Sequence, residues 1–213
     1  MIWKRTRHSH LRKQNPEQRA LKQADLDMLE MAAAAGEIDL LYLDESGCCQ
    51  WCDVGYSYYF RGEQKRQEQT QKRQRRLNIL GLWQPLTTFI YGLIFGSMRS
   101  QNYIMMMDEQ ATIAQKTGRM RVIVQDNGSI HKSKLTQQKW AAWEAQGLYL
   151  FFLPFYCSEM NPIEEEWRHL KRDELRGQMF ETEKELAYHV IQGLEHRGEI
   201  HGHTTQYVNI VTC

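Results

Sequence analysis

Three acids in this 213-residue chain stand where chemistry is usually placed. Asp44 closes the apolar run Ile38-Asp39-Leu40-Leu41-Tyr42-Leu43, and Asp126 follows the β-branched run Arg121-Val122-Ile123-Val124-Gln125. Glu164 falls in the first turn of a helix announced by Asn161-Pro162. In an open sheet, functional groups gather outside the strand ends, so acids far apart in sequence meet in space. Three carboxylates with no Cys/His set beside them make an oxygen-only site, suited to Mg²⁺ or Mn²⁺ rather than Zn²⁺. Two such ions can activate a water or a 3′-hydroxyl and stabilise the leaving oxygen of a phosphodiester.

Each acid also has a structural reading. Asp44 can open a turn with Ser46-Gly47, Asp126-Asn127-Gly128 is a turn sequence in its own right, and Glu164 sits where a capping-box acid belongs. Glu45, Glu165 and Glu166 are rival ligands, but Pro162 at the first helical position favours Glu164 over its helical neighbours. His131, five residues after Asp126, either supports the site or is a solvated residue ahead of a helix. Cys49-x-x-Cys52, with Cys48 adjacent, lacks the second pair that a zinc site needs. His196, His201 and His203 are too loosely spaced to make a site. Met105-Met106-Met107 and the scattered Trp residues read as core.

The elements that must position these acids follow from the pattern. Residues 1–24 show no sustained apolar period and read as an arm, partly helical at best, and Ala24–Ala35 reads as a short helix stopped by Gly36. Strands are predicted over 38–43, 55–60, 76–83 and 89–95, the last two as a hairpin. Helices are predicted over 100–114, with Ser100 as cap, and over 133–146. Strands 121–125 and 148–153 flank the second of these. A long helix should run from Asn161, as N-cap, to about Arg176. The order is α/β, with an antiparallel start followed by parallel crossovers. Boundaries are expected near 35 and 180: a basic arm with a short helix (1–35), a catalytic domain (36–180) and a helical tail (181–213).

Hydrophobic residues make up 42% and charged residues 25% of the chain, which excludes a disordered polypeptide. No run approaches the roughly 18 apolar residues that span a bilayer, and no apolar stretch follows the basic start as in a secretory leader. Five cysteines without scaffold spacing point to a reducing, cytoplasmic compartment. The net charge of +1 hides two basic stretches, each with seven Lys/Arg: residues 1–22 against one acid, and residues 61–76 against two. The rest is net acidic. Solvated faces are one reading of the two stretches; the other is a polyanion met by Lys4, Arg5, Arg7, Arg12 and Lys13 in the arm and by Lys65, Arg66, Lys72, Arg73, Arg75 and Arg76 in the loop.

Three segments carry a family resemblance: Tyr42-Leu43-Asp44-Glu45-Ser46-Gly47, Val124-Gln125-Asp126-Asn127-Gly128-Ser129-Ile130-His131, and Leu153 to Glu164 ending in Asn161-Pro162-Ile163-Glu164. They resemble the catalytic blocks of Tc1/mariner-related bacterial transposases, the insertion-sequence IS630 group of the DDE superfamily. Trp167 with Leu170-Lys171, Asn78 to Trp83, and Met107-Asp108-Glu109 also fit, so the resemblance covers roughly residues 36–176. It implies an RNase H-like fold and Mg²⁺-dependent strand cleavage and transfer at transposon ends, usually at TA targets. Carried over by position, the triad is Asp44, Asp126 and Glu164, with Asn127, His131 and Asn161 as supporting residues.

Two departures stand out. The 37 residues between Asp126 and Glu164 exceed the common mariner spacing, and Phe155-Tyr156-Cys157-Ser158 replaces the usual proline-rich stretch. The helix-turn-helix domains that normally read terminal repeats have no room here, and Trp3 to Arg7 resembles the linker that follows them. The expected partners are therefore DNA, a second copy of the chain, or a partner carrying helix-turn-helix domains, in a bacterial, nucleoid-associated setting. An inactive remnant that binds only DNA or a partner, and a structure-specific RNase H-like nuclease, are the alternatives.

Overall fold

A computed structural model describes residues 11–54, 58, 60–64, 66, 68–69 and 76–210. Lys4, Arg5, Arg7, Lys65, Lys72, Arg73 and Arg75 lie outside the described residues, as do Gly55-Tyr56-Ser57 and Tyr59 of the strand expected over 55–60.

One six-stranded sheet organises the chain, in the order β5-β4-β1-β2-β3-β6. Its strands are β1 (Asp39–Cys48), β2 (Leu77–Gln84), β3 (Thr88–Phe95), β4 (Arg121–Gln125), β5 (Leu148–Phe152) and β6 (Thr204–Tyr207). β1 pairs in parallel with β4 and antiparallel with β2, so the expected change from antiparallel to parallel pairing happens across this one strand. The helices are α1 (Pro16–Ala34), α2 (Ser100–Thr117), α3 (Lys134–Ala145), α4 (Ile163–His169) and α5 (Glu183–His201). None is long and apolar enough to cross a membrane.

Period-two alternation sorts the core onto the two faces of the sheet. Leu40 and Tyr42 of β1 join Ile79, Phe89, Val122 and Val124 in a cluster with Leu26 of α1, Ile163 and Trp167 of α4, and Leu186 and Val190 of α5. Leu41 and Leu43 join Leu80, Leu82 and Ile123 in the opposite cluster, covered by Tyr103, Met106 and Met107 of α2 and Trp143 of α3. Met106 and Met107 are core, as expected; Met105 is exposed.

Four sequence expectations are corrected. β1 does not stop at Leu43, because β2 continues the ladder to the pair Cys48↔Leu77 and satisfies the backbone of Asp44-Glu45-Ser46-Gly47. α1 begins at Pro16, not Ala24: the Asn15 side chain accepts from the Glu17 and Gln18 amides at 3.1 and 3.2 Å, and Pro16 supplies a preset φ. The long last helix is instead α4 followed by a π-helical turn, Leu170–Glu174. That wider turn meets α5 at Gly193, where an added Cβ would come within 2.9 Å of both Leu170 and Glu174. The tail is not helical alone, since β6 pairs in parallel with β3 and forms the sheet edge. Smaller differences are that Ser100 begins α2 rather than capping it, while Ser133 caps α3 by accepting from the Thr136 amide.

Candidate active site

The β1/β4 register places two of the three acids. The last parallel pair is Tyr42↔Val124, so two residues further along each strand come Asp44 and Asp126. Asp44 is still held in a ladder, opposite Gly81 of β2, while Asp126 has just left β4.

Glu164 is brought up by packing. Asp44 shares the parity of Leu40 and Tyr42, whose face is the one α4 covers. Opposite Asp44, Gly81 leaves room for the Trp167 ring, which a Cβ there would meet at 2.5 Å. The ring packs edge-on against Phe89 at 5.3 Å. Glu164 lies three residues before Trp167 and so projects from the same side of the helix. Asn161, expected as the helix cap, does something else: its Nδ2 donates to the Leu43 carbonyl at 2.8 Å, tying the start of α4 to β1 just before Asp44. Pro162 takes the cap position, and no side-chain bond closes a capping box, so Glu164 has no capping duty. Asn127 makes the companion tie, donating to the Leu153 carbonyl.

The charges of the acids are set differently. His131 is buried with its Nδ1 3.0 Å from Asp126 Oδ1 and its Nε2 2.7 Å from Glu45 Oε1. Burial works against its charge, but the hydrogen bonds to Asp126 and Glu45 carry its pKa up to about 9. Asp126 is correspondingly held below the ordinary carboxylate range, first by His131 and, against some burial, by the Gly128 amide at 2.7 Å. The Tyr103 ring lies 4.7 Å from the imidazole, and its hydroxyl donates to Gln125 at 2.8 Å. Asp44 has no such help. Burial, and then the charges of Glu45, Glu164 and Asp126, push its pKa up to about 7, against a lowering backbone hydrogen bond.

Asp44, Asp126 and Glu164 offer oxygen donors only, a chemistry that fits a hard divalent cation. Among the described residues, however, no three His, Cys, Asp or Glu groups are drawn together tightly enough to hold an ion as they stand.

Other sequence candidates fall away from this centre. Glu165 pairs with Arg168 and His169, and Glu166 is engaged by Arg197 of α5 at 2.7 Å. Glu45 points to the opposite face from Asp44 and serves His131; the alternation along β1 carried that signal, which the rival-ligand reading passed over. Burial raises the Cys48 and Cys52 thiols to about 11 and about 12, which keeps both protonated in the ion-free chain. Arg12 and Lys13 sit in an exposed turn before α1, and Arg66 and Arg76 are exposed.

Residues 39–187 match the family of DDE superfamily endonucleases. No curated protein matches the chain by sequence. Solved structures resemble it closely in shape. The mariner Mos1 paired-end complex with Mg matches at TM-score 0.66 and 13% identity, over 92% of this chain and 60% of that one. The corresponding complex with Mn gives 0.64 and 13%, over 95% and 65%. The catalytic domain of Mos1 mariner transposase gives 0.53 and 10%, over 94% and 95%. At such identities the likeness shows the fold, which is RNase H-like. The chain spans less than two thirds of the proteins in the paired-end complexes.

Proposed function

Because the chain belongs to the DDE superfamily of endonucleases, we propose that it cuts and joins DNA strands as the catalytic domain of an IS630-type, Tc1/mariner transposase. The observation that carries this reading is the shared register of Asp44 and Asp126, with α4 bringing Glu164 to the same face of β1. Asp44, Asp126 and Glu164 would hold Mg²⁺ or Mn²⁺, two ions in all; the Mos1 complexes with Mg and with Mn support that choice. Bound ions supply an activated water or 3′-hydroxyl and stabilise the leaving oxygen.

The chain's own residues do the positioning. His131 keeps Asp126 ionised and fixes its carboxylate, while Glu45 steadies His131 from behind. Asn161 and the Gly81–Trp167 contact hold α4 at a set distance from Asp44. Arg12, Lys13, Arg66 and Arg76 are exposed cations that suit the phosphates of a transposon end, with TA as the target. The expected protein partners are a second copy of the chain or a protein carrying helix-turn-helix domains.

The test is incubation of the full chain with labelled duplex carrying its element's ends, in Mg²⁺, with and without the product of any adjacent reading frame. Strand cleavage that Asp44→Asn abolishes supports the reading. DNA binding without cleavage under every condition would make the chain a non-catalytic remnant. Cleavage governed by DNA structure, with no preference for the ends, would make it a structure-specific nuclease.

A further inference from the structure

A buried ion pair joins α4 to the C-terminal part of the chain. Arg197 of α5 is 5% exposed, and its Nε and Nη2 lie 3.1 and 2.7 Å from a single oxygen of Glu166. Arg197 stands beyond residue 187, where the family match ends. A buried pair does little for stability as a rule, because each charge gives up its water to form it. What it supplies is direction, since a planar guanidinium grips a carboxylate only along its own N–H bonds.

The place of the pair follows from how α5 meets α4. The side chains of Leu170 and Glu174 rest on the α5 backbone at Gly193, and His196 Nδ1 lies 3.2 Å from Glu174 Oε1. One turn further along α5 comes Arg197, and one turn back along α4 from Leu170 comes Glu166. Glu166 and Glu164 are two residues apart, about 200° around a helix. They therefore leave α4 on opposite flanks of its buried stripe, Ile163, Trp167 and Leu170. The Trp167 seat and the Asn161 bond hold that stripe against β1 and β2. A seven-residue helix held along one stripe can still roll about it, and rolling carries Glu164 towards Asp44 or away.

We propose that Arg197, acting through Glu166, is a positioning residue for Glu164: it holds one flank of α4 so that the carboxylate on the other flank faces Asp44. The inference rests on the reading of Glu164 as a metal ligand and adds to that site a residue outside the family match. The arrangement is a support behind a metal ligand, and losing such a support costs about 10–100-fold in metal affinity. It also gives the C-terminal segment a duty in the reaction, because α5 carries the arginine.

The test compares the full chain with Arg197→Lys and with the double variant Glu166→Met/Arg197→Met. Lysine keeps the charge but not the planar grip. Paired methionines remove both charges together, so no lone charge is left buried and the fold is retained. Mn²⁺ is titrated by calorimetry in the presence of bound, uncleaved DNA, and Tm, kcat and KM for DNA are measured beside it. The double variant should bind Mn²⁺ roughly tenfold more weakly, with Arg197→Lys between it and the wild type. The kcat should fall in the same order while KM for DNA stays unchanged. Wild-type Mn²⁺ affinity in both variants, whether or not Tm drops, makes the pair merely structural and overturns the proposal. Should the double variant not fold, Arg197→Lys decides by the same comparison. If Asp44→Asn leaves the Mn²⁺ affinity unchanged, the metal reading of the site itself fails, whatever Arg197 does.

Discussion

Two parts of the site are built by different means. The Asp44/Asp126 seam is fixed by hydrogen-bonded register in the middle of the sheet, where a slip would turn every core residue of β1 to the wrong face. Glu164 is fixed by packing: a tryptophan over a glycine, and one asparagine bond to a strand carbonyl. Only the seam is electrostatically prepared, through His131, and Glu164 is exposed at the start of a two-turn helix. A register cannot move by fractions, whereas a packed helix can. The site thus combines a half set by strand register with a half set by helix packing.

The largest effects should come from the charges themselves. Glu164→Gln is expected to reduce strand cleavage by a factor of hundreds or more, the scale set by lost transition-state charge stabilisation. Its Tm should stay within about a degree of wild type, because no capping bond is lost. Assays of Glu165→Gln and Glu166→Gln sharpen the comparison: normal cleavage by Glu164→Gln alongside failure of either neighbour would place the third ligand elsewhere.

Next in size is the packed half. Gly81→Ala should displace Trp167 and cost about 1–3 kcal/mol, the usual range for overpacking, read by urea unfolding. Cleavage should fall with it while Asp126 keeps its low pKa, measurable by carboxylate NMR. A fully active Gly81→Ala would show that α4 needs no such seat. Asn161→Ala removes a buried bond and should cost about 1 kcal/mol with a smaller loss of cleavage.

The smallest effect is the pH dependence of the ion-free chain. Asp44 titrates near 7 in the fold instead of near 3.8, so its ionisation removes stability as pH rises between those values. His131 titrates near 9 instead of 6.5, so its contribution is complete below 6.5 and is lost as pH rises through 9. Asp126, lowered, acts oppositely but only at acidic pH. In EDTA, Tm should therefore decline from pH 5 to pH 9. Asp44→Asn should flatten the lower part and raise Tm at pH 8 by about 2–4 °C, and His131→Asn should flatten the upper part.

The seam was legible in the sequence because strands announce themselves locally: β4 and the core of β1 are apolar runs, and the acids follow them. Less legible was whatever depends on a partner element. Asp44-Glu45-Ser46-Gly47 reads as a turn until β2 is laid beside it, and β6 is too polar to be read as a strand before β3 receives it. The start of α1 was readable, since Asn15-Pro16 is the same signal that was read at Asn161-Pro162, but its polar first half shows no apolar period. At Asn161 that signal misled in the other direction, because tertiary contact with Leu43 took the side chain that capping would have used. The role of Gly81 lies wholly in a contact 86 residues away in sequence and has no local signature.

Whether the two halves form one site is tested most directly by titrating Mn²⁺ into the chain by calorimetry, in the presence of bound DNA that is not cleaved. Asp44→Asn, Asp126→Asn and Glu164→Gln should each weaken binding strongly, while Glu165→Gln binds as the wild type does. An Asp126→Asn variant that binds Mn²⁺ with unchanged affinity would contradict the assignment, and the seam would not be where the metal is held.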